Sequence, residues 1–341
     1  MKVGVIGCGG MGTTHYLSLK VLSSQMDVEV VALADCREEF LQKAAAEFPE
    51  ARTYTYGMEL IERENLDAVH ICLPSYLHTE HAVAAMKKGM NVLVEKPVCL
   101  TREEGELLLE TQKETGVKVM VGQVVRAFDE YRYLKEVYDN KTLGKLKSIV
   151  MQRVSGNVRW GFEGWFHDEK KSGSVVLDLH IHDLDFLRYM LGEPDDFEVR
   201  ATTFDSGMIN QVITTYEFGD VFATAEGVWD VSPIPKFRAY FEKGTVYFNQ
   251  AGQPGLVVYK ADGTEIVPEL HPEYEGQTNT GINITNLGPY YTEIKYFLEC
   301  LQDGKEITLA PLQEGVKSVE QALEEWEAAK LYLREKKEMY I

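Results

Sequence analysis

Basic residues are scarce in this sequence. Its 341 residues include 35 Lys and Arg against 54 Asp and Glu, which gives a formal net charge of -19 at pH 7. Nucleic acids and anionic membrane surfaces attract proteins with an excess of Lys and Arg, because those surfaces are themselves negative. The deficit therefore argues against a nucleic-acid or membrane partner and predicts an acidic, solvated surface.

Long apolar runs and paired cysteines are also missing. No window approaches the roughly 20 apolar residues of a membrane span, and the apolar run at the amino terminus is too short for a signal peptide. The cysteines are Cys8, Cys36, Cys72, Cys99 and Cys300. They follow no C-x-x-C spacing, so neither a zinc site nor a disulfide framework is predicted. We expect a cytoplasmic protein without a metal site.

The first third of the chain alternates apolar strands with helices. Its length and its hydrophobic content of 45% allow two domains with cores of their own. The predicted strands are residues 2–6, 28–34, 67–73, 91–95 and 118–121, and the predicted helices are residues 13–22, 37–47, 59–63, 78–88 and 101–115. Such alternation with short loops predicts a parallel, doubly wound sheet whose ligands bind at the carboxyl ends of the strands.

A glycine-rich turn separates the first predicted strand from the first helix. Gly7, Gly9 and Gly12 form G-x-G-x-x-G, with Gly10 and Met11 inside the motif. In a dinucleotide-binding fold, the first glycine allows a tight turn, the second lets backbone N–H groups approach the pyrophosphate, and the third lets helix and strand pack closely. The position of the motif between a strand and a helix predicts that these five residues bind a dinucleotide cofactor.

An acidic residue follows the second predicted strand. Asp35 lies at about the spacing from the glycines that is typical of the acid that binds the adenosine ribose. A carboxylate there accepts hydrogen bonds from both ribose hydroxyls and repels a 2'-phosphate, which favours NAD over NADP. Two alternatives stay open: Asp35 caps the following helix, or Arg37 pairs with the phosphate of NADP.

Two loops at the carboxyl ends of predicted strands carry further candidate residues. One holds Pro74 and His78, the other holds Glu95, Lys96 and Pro97, and all five are predicted cofactor contacts. A residue that precedes proline is held extended, which fixes Lys96 just past its strand, where a nicotinamide ring would lie. An ammonium group there can hydrogen-bond a substrate hydroxyl and stabilise the oxygen anion that develops as hydride leaves. The alternative is an ordinary exposed lysine at a turn.

The segment 172–189 is the main candidate for acid/base chemistry. Its apolar residues repeat at helical spacing, and Asp178, His182 and Asp185 fall on one adjoining polar stripe. A carboxylate one turn from a histidine can orient the ring and raise its basicity, as a general base near neutral pH requires. The alternative is a helix with a capping Asp and a structural His. Because His180 and His182 would point about 200° apart, they cannot share a metal ion.

Three motifs together resemble one enzyme family. They are G-C-G-G-M-G after the first strand, E-K-P at residues 95–97, and G-x-x-x-x-D-x-x-x-H-D from Gly173 to Asp183. In order and spacing they are similar to those of the Gfo/Idh/MocA oxidoreductases, which include glucose-fructose oxidoreductase and inositol dehydrogenase, and the similarity covers essentially the whole chain. The resemblance implies an amino-terminal Rossmann domain, an open antiparallel sheet domain, and oxidation or reduction of sugars and cyclitols with NAD or NADP.

The resemblance also implies roles for single residues. Lys96 matches the family's catalytic lysine, Asp178 the aspartate that orients substrate and base, and His182 the acid/base. Glu95 and Pro97 match residues that shape the cofactor pocket, with a cis bond before the proline.

The chain departs from many relatives at two places. It has Gly173-Ser174 where they have two or three consecutive glycines, and Gln123-Val124 where they have an aromatic residue or Asn. We count Gln123 among the predicted cofactor contacts. Both changes bear on the shape of the pocket, so they leave the substrate more open than the reaction.

Past residue 122 the pattern changes to strands joined by tight turns. A helix over 131–138, a strand over 145–154 and an aromatic loop over 157–171 come before the catalytic segment. The strands after it are predicted over residues 198–205, 210–218, 221–229, 236–242, 245–249 and 256–260, with turn pairs suited to hairpins between them. We predict an α/β Rossmann domain over 1–122 and an α+β domain over 123–341, which has an open, mostly antiparallel sheet and closing helices over 290–301 and 312–337.

Polar and aromatic side chains predict a polyhydroxylated substrate. The predicted substrate contacts are Lys96, Arg126, Asn157, Trp160, Trp165, His167, Asp178 and His182. Several polar groups around one carbon, with aromatic walls over an apolar ring face, suit a sugar or an inositol-like ring, although the aromatic loop can equally pack as core. A 2-hydroxy acid would need a bidentate arginine clamp, and the nearby candidates, Arg126, Arg153 and Arg159, have no spacing that ties them to the catalytic helix.

We therefore predict a NAD-dependent dehydrogenase, with NADP as the alternative cofactor, that passes hydride between the nicotinamide and a secondary hydroxyl or ketone of a cyclic polyol. The alternative function is a dinucleotide-binding sensor without turnover, which would not need Lys96, Asp178 and His182 together. Alternating residues such as Phe237 and Arg238 give both faces of the second sheet surface that can be buried. We expect a homodimer or homotetramer joined through that sheet.

Overall fold

The chain forms two compact units, each built from two segments of sequence. In the computed structural model, which describes residues 1–156, 161–203, 207–229, 236–276, 280, 284 and 286–339, the first unit comprises Met1–Ala127 and Pro272–Val316. The second unit comprises Phe128–His271 and Lys317–Ile341. A single domain boundary was predicted, after residue 122, with the helix over 290–301 in the second domain. The contacts instead group that helix with the first unit.

A six-stranded parallel sheet forms the centre of the first unit. Its strands are β1 (Lys2–Ile6), β2 (Glu29–Ala34), β3 (Arg52–Tyr54), β4 (Ala68–Ile71), β5 (Asn91–Glu95) and β6 (Val119–Gly122). They lie in the order β3-β2-β1-β4-β5-β6, and every neighbouring pair is parallel. The predicted doubly wound sheet is confirmed, and its order reverses between β1 and β4, the place where such sheets bind ligands at their carboxyl ends.

Helices connect these strands in turn. They are α1 (Gly10–Leu22), α2 (Glu38–Glu47), α3 (Gly57–Arg63), α4 (His78–Lys87) and α5 (Arg102–Thr115). Sequence signals fix both ends of α5. The hydroxyl of Thr101 accepts a hydrogen bond from the Glu104 N–H at 3.2 Å, and Gly116 adopts the left-handed conformation, with φ 68°, just after the last turn.

The edge strand β3 was not predicted from the sequence. It has three residues, two of them exposed, so it lacks the apolar run of a buried parallel strand. The side chains of Arg52 and Tyr54 both hydrogen-bond the carboxylate of Glu64, which is buried. The guanidinium lowers the pKa of Glu64. These polar contacts attach β3 to the end of α3.

An eight-stranded sheet forms the centre of the second unit. Its strands are β7 (Leu146–Val154), β8 (Asp196–Thr203), β9 (Ile209–Phe218), β10 (Val221–Val228), β11 (Lys236–Phe241), β12 (Gly244–Asn249), β13 (Leu256–Lys260) and β14 (Glu265–Ile266). Their order is β14-β13-β12-β11-β7-β10-β9-β8. Only β7 and β10 pair in parallel among these neighbours, so the predicted mostly antiparallel sheet is confirmed.

The two faces of this sheet differ in exposure. The helices α6 (Asp129–Asp139), α7 (Glu169–Ser172) and α8 (Ile181–Leu191) belong to this unit, and α8 packs against β7 and β10. On the opposite face, strand pairing aligns one row across five strands, made of Phe222, Ser148, Tyr240, Thr245 and Tyr259. The three aromatic residues of this row are 53%, 38% and 41% exposed. We call these five residues the aromatic row.

The last two helices are α9 (Gly288–Gln302) and α10 (Leu312–Met339). In the first unit, Phe297 of α9 shares a buried apolar cluster with Leu19 of α1. The segment after α9 then joins the edge of the sheet, where the Val121 N–H donates to the carbonyl of Ala310 at 3.0 Å. These contacts explain why residues 272–316 belong to the first unit. None of the described helices is long and apolar enough to cross a membrane.

Candidate active site

Backbone geometry explains the glycines between β1 and α1. Gly7 has φ 86°, and a Cβ atom there would lie 2.5 Å from the carbonyl oxygen of Cys72. A Cβ atom at Gly12 would lie 1.7 Å from the oxygen of Gly7. Side chains are therefore excluded at both positions. Because α1 begins at Gly10, Gly10 and Met11 provide N–H groups of the first turn, which can bind a phosphate.

Asp35 lies at the end of β2 and is only 7% exposed. Its Oδ2 atom accepts a hydrogen bond from the Cys8 N–H at 2.8 Å, which links it to the glycine turn. Its Oδ1 atom accepts from the backbone N–H and the guanidinium of Arg37 at 2.8 and 3.1 Å. Burial, with help from Asp35, raises the pKa of the Cys8 thiol to about 12. Asp35 is thus tied to the glycine turn and paired with Arg37, and its ribose-binding role stays a prediction.

Lys96 follows β5 in the loop that the resemblance singled out. The Lys96-Pro97 peptide bond is cis, as the resemblance implied. Lys96 is partly exposed, whereas Glu95 and Pro97 on either side are buried. The carboxylate of Glu95 accepts a hydrogen bond from His15 at 2.8 Å. Lys96 is therefore a partly exposed residue between two buried neighbours.

His78 contacts protein backbone through both ring nitrogens. Its Nδ1 atom lies 2.7 Å from the carbonyl oxygen of Pro97, and its Nε2 atom lies 2.7 Å from that of Leu73. Burial lowers the pKa of His78, and the two carbonyl acceptors offset this only in part. The ring thus joins the loop after β4 to the loop after β5, and the cofactor contact predicted for it stays a prediction. Pro74 lies in the first of these loops, directly before the turn Ser75–Leu77.

Gln123 and Arg126 follow β6 and are both buried. Neither polar atom of the Gln123 amide has a hydrogen-bond partner among the described residues. A buried amide without partners normally has one in the functional state. Arg126 instead donates to the carbonyl of Leu309 at 2.6 Å, inside the first unit. Gln123 is thus a candidate ligand-binding group, and Arg126 has a structural contact, while the predicted roles of both residues stay predictions.

The catalytic segment of the second unit is not a continuous α-helix. A π-helical turn spans Val176–His180, and α8 follows from Ile181. Between residues 172 and 188 the partly exposed positions are Asp178, Leu179 and His182. Two of the three predicted polar residues therefore share one small exposed window. π-helical turns of this kind recur at functional sites.

Asp185 was predicted on the same stripe, but it is fully buried. Its carboxylate accepts a hydrogen bond from the hydroxyl of Ser318 on α10 at 2.8 Å. The π-helical turn adds a residue to the winding before α8, and regular 3.6-residue spacing from Asp178 no longer applies. Asp185 therefore has a structural contact and is not part of the exposed window.

The aromatic loop contributes core packing where it is described. Trp165 is buried and stacks on Phe166, with ring centroids 3.9 Å apart. His167 is exposed. Trp165 thus follows the alternative of core packing and not the predicted substrate wall. Asn157 and Trp160 lie outside the described residues.

Several polar contacts near the candidate residues were not predicted from the sequence. Arg153 donates to the carboxylate of Asp183, beside His182, at 2.6 Å, and to the hydroxyl of Tyr131 at 2.9 Å. In the first unit, His15 and His70 lie next to Glu95. A histidine inside an apolar strand, such as His70 in β4, signals a need for a buried partner. That signal is present in the sequence, but the identity of the partner is not.

Family comparisons match both units. Residues 1–123 match the oxidoreductase family model with an NAD-binding Rossmann fold, GFO_IDH_MocA. Residues 131–247 match the model of the GFO/IDH/MocA C-terminal domain. The two models are adjacent and together account for most of the chain.

Individual relatives are dehydrogenases by name. Myo-inositol 2-dehydrogenase of Thermotoga maritima is 32% identical over 57% of this chain and 55% of that protein, so the match spans about half of each. The NAD-dependent scyllo-inositol 2-dehydrogenase of Bacillus subtilis is 24% identical over 89% of this chain and 87% of its own. Levoglucosan dehydrogenase, solved with NADH and levoglucosan, has the same fold, with a TM-score of 0.83, 19% identity and coverage of 97% and 98%.

Proposed function

The chain belongs to the Gfo/Idh/MocA family of oxidoreductases, and from this premise we propose that it is a NAD-dependent dehydrogenase of a sugar or an inositol-like cyclic polyol. The substrate's secondary hydroxyl is oxidised to a ketone, or the ketone is reduced in the reverse direction. The observation that carries the proposal is the exposed window of the second unit, where Asp178 and His182 are the polar residues in an otherwise buried segment.

The first unit supplies the groups that would hold the dinucleotide. The glycine turn leaves room for the pyrophosphate, Asp35 lies where the adenosine ribose hydroxyls are bound, and the unpartnered Gln123 amide is a candidate contact for the nicotinamide end. When bound, the nicotinamide supplies a two-electron hydride acceptor. Arg37 beside Asp35 leaves NADP as a second cofactor, because its guanidinium can pair with a 2'-phosphate.

The acid/base chemistry is assigned to three side chains. His182 accepts the proton of the reacting hydroxyl at a ring nitrogen as general base. Asp178 orients the substrate and the base. The Lys96 ammonium is assigned to hydrogen-bond a substrate oxygen and to stabilise negative charge that grows on it during the reaction.

The arginines of the described chain support a neutral substrate over a carboxylate. A 2-hydroxy acid needs a bidentate guanidinium clamp. Arg153 is committed to Asp183 and Tyr131, and Arg126 donates to Leu309. Two of the three candidate clamps therefore have structural partners, and the third, Arg159, lies outside the described residues. The polyol names of the relatives point the same way.

The assembly and location form part of the proposal. The aromatic row places Phe222, Tyr240 and Tyr259 on one exposed sheet face. Exposed apolar patches of this kind mark association sites. We assign this face to a homodimer or homotetramer interface and the protein to the cytoplasm.

A nicotinamide reduction screen tests the function. The purified protein is mixed with NAD or NADP and with aldoses, inositols, glycosides and 2-hydroxy acids, and the absorbance of the reduced cofactor is followed. Turnover is expected with a cyclic polyol, and its analogue lacking one recognised hydroxyl is expected to react slower by orders of magnitude. Turnover with the hydroxy acids alone would refute the polyol assignment. Tight dinucleotide binding with no turnover across the panel would favour a sensor.

A further inference from the structure

A chain of three buried side chains lies behind the Lys96 loop. His15 of α1 is fully buried, and its Nε2 atom lies 2.8 Å from Oε1 of Glu95, the last residue of β5. Its Nδ1 atom lies 3.0 Å from Nδ1 of His70 on β4. His70 and Glu95 are 0% and 5% exposed. The three groups thus connect the helix after the glycine turn to the residue before Lys96.

Packing holds these side chains in place. A Cβ atom at Gly122 would lie 2.9 Å from Oε1 of Glu95, so the glycine at the end of β6 makes room for the carboxylate. The ring of His70 meets the ring of Phe297 edge-on, with centroids 5.9 Å apart. Because packed interiors deform little, a shift of one of these side chains also shifts the side chains that contact it.

The hydrogen-bond distances assign the protons. A carboxylate only accepts, so His15 Nε2 carries a proton and donates it to Glu95. Burial and the nearby His15 hold the pKa of His70 well below its ordinary value, so His70 is neutral. His70 then donates from Nδ1 to the Nδ1 atom of His15. Of the four ring nitrogens of His15 and His70, Nε2 of His70 has no partner among the described residues, and it is an acceptor in this assignment.

Both sides of Lys96 are tied to a buried histidine. His15 holds Glu95, and His78 contacts the carbonyl of Pro97 at 2.7 Å. Lys96 is the one partly exposed residue between positions 92 and 99. The direction of its side chain therefore depends on two residues that cannot move without breaking buried hydrogen bonds.

We propose that His15 is a positioning residue for Lys96, which it serves by hydrogen bonding Glu95 while His70 fixes the orientation of the His15 ring. This inference rests on the proposed function, because it assigns a role in the reaction of Lys96. His15 touches neither cofactor nor substrate in it. The His70 to His15 to Glu95 chain supplies the rigid support that a catalytic ammonium needs.

Two amide variants of His15 separate the two ends of its ring. The Gln amide reaches the position of Nε2 and retains the donor to Glu95, whereas the shorter Asn amide occupies the position of Nδ1 and retains the contact with His70. We expect His15→Asn to lower kcat by about 10- to 100-fold, since misplacement of a reacting group by about 1 Å has effects of this size. We expect His15→Gln to stay within about threefold of wild type and both variants to bind NAD with nearly unchanged Kd.

His81→Asn is the matched control. His81 is a buried histidine of the same unit whose Nδ1 atom contacts the carbonyl of Leu77 on its own helix, and it has no role in the site. We expect its kcat to equal that of wild type. Equal losses in the two His15 variants, a loss in His81→Asn as large as that in His15→Asn, or a matching loss of NAD affinity would overturn the inference.

Two readouts do not depend on turnover. In 15N-histidine NMR spectra of the protein without cofactor, His15 is expected as the Nε2–H form and His70 as the Nδ1–H form; an unprotonated Nε2 in His15 overturns the inference. In crystals, the Nζ atom of Lys96 is expected to shift by about 1 Å in His15→Asn and to stay in place in His15→Gln.

If His15→Asn does not fold, His70→Leu, which removes the donor to the His15 ring, is expected to show the same shift. A wild type that turns over no polyol counts against the proposed function alone, since the spectra and the Lys96 positions still decide this inference.

Discussion

His180 and Glu325 form a fully buried hydrogen-bonded pair, with the Nε2 atom of His180 2.8 Å from the Oε2 atom of Glu325. The same oxygen accepts hydrogen bonds from the hydroxyls of Thr214 and Tyr216, at 2.7 and 3.0 Å. Burial, followed by the charge of Glu325, raises the pKa of the Tyr216 hydroxyl well above its ordinary value. The Glu325 carboxylate of α10 therefore hydrogen-bonds side chains of both β9 and the π-helical turn.

This pair lies in the segment of the second unit that contains the proposed acid/base residues. His180 lies between Asp178 and His182 in the sequence, at the end of the π-helical turn. Gly227 of β10 lets the turn approach the sheet, since a Cβ atom there would lie 2.9 Å from the Cβ atom of His180. The buried pair thus ties the turn that carries Asp178 and His182 to both the sheet and α10.

Removal of the buried carboxylate is expected to be strongly destabilising. Glu325→Leu leaves the donors of His180, Thr214 and Tyr216 without their acceptor, and loss of one partner of a buried polar pair costs about 3–5 kcal/mol. Urea unfolding of the variant measures the loss. Glu327→Leu, an exposed glutamate two residues along the same helix, is the control and is expected to change the free energy of unfolding little. Equal effects in the two variants would show that the buried network contributes nothing specific.

The Asp35 and Arg37 pair predicts how cofactor choice responds to mutation. Asp35 repels a 2'-phosphate, and Arg37, which donates to that carboxylate, offsets the repulsion. Arg37→Ala is therefore expected to strengthen the preference for NAD, and Asp35→Ser to weaken it. Fluorescence titration with NAD and NADP gives the two Kd values for each variant. Wild-type NADP binding tenfold tighter than NAD, a difference of about 1.4 kcal/mol, would contradict the assignment of Asp35.

The acid/base assignment predicts a separation of turnover from binding. His182→Ala removes the proposed proton acceptor, and Lys96→Met removes the proposed ammonium with little change in side-chain length. Each is expected to lower kcat by about two to four orders of magnitude. Each is also expected to leave the Kd of NAD nearly intact, because Asp35 and the glycine turn are unchanged. Near-normal turnover in either variant would refute its role.

Much of the first unit could be predicted from the sequence, because a buried parallel strand is an apolar run between turn residues. The bounds of β1 and β5 are those predicted. The edge strand β3 could not be found in this way, since polar bonds to Glu64 hold it in place of apolar burial. The return of α9 to the first unit is a tertiary contact with α1 that no local pattern records.

The site shows the same division between local pattern and packing. Helical spacing selected Asp178 and His182, and both lie in the exposed window. The same spacing selected Asp185, but regular helical periodicity does not anticipate a π-helical turn, and the residue is buried against Ser318. His78 and Arg126 were chosen as polar residues near strand ends. Their partners are backbone carbonyls, which are identical at every position and leave no trace in the sequence.

Stability is expected to decrease as the pH falls below the ordinary histidine pKa. Burial, together with the nearby His15, holds the folded-state pKa of His70 well below its ordinary value of 6.5. Below about pH 6.5 the unfolded chain therefore binds a proton that the folded chain does not, so the free energy of unfolding falls by up to about 1.4 kcal/mol per pH unit for this group. Urea unfolding between pH 7.5 and 5 measures the slope. His70→Asn is expected to make the slope shallower, and His271→Asn, at an exposed histidine, is expected to leave it unchanged.

The aromatic row predicts self-association through one face of the second sheet. The row crosses β10, β7, β11, β12 and β13, and its aromatic residues, Phe222, Tyr240 and Tyr259, lie on alternate strands of this set. Each of the three is more than a third exposed. Association would remove these rings from water, at roughly 25 cal/mol per Å² of apolar surface buried. Light scattering at micromolar concentration is expected to give the mass of a dimer or tetramer. Phe222→Asp places a charge at one end of the row, at its most exposed ring, and is expected to shift the mass toward the monomer. Tyr56→Asp, at an aromatic residue of the first unit that is 66% exposed, is the control and is expected to leave the assembly intact. A monomeric wild type, or equal dissociation by the two substitutions, would show that this face is not the interface.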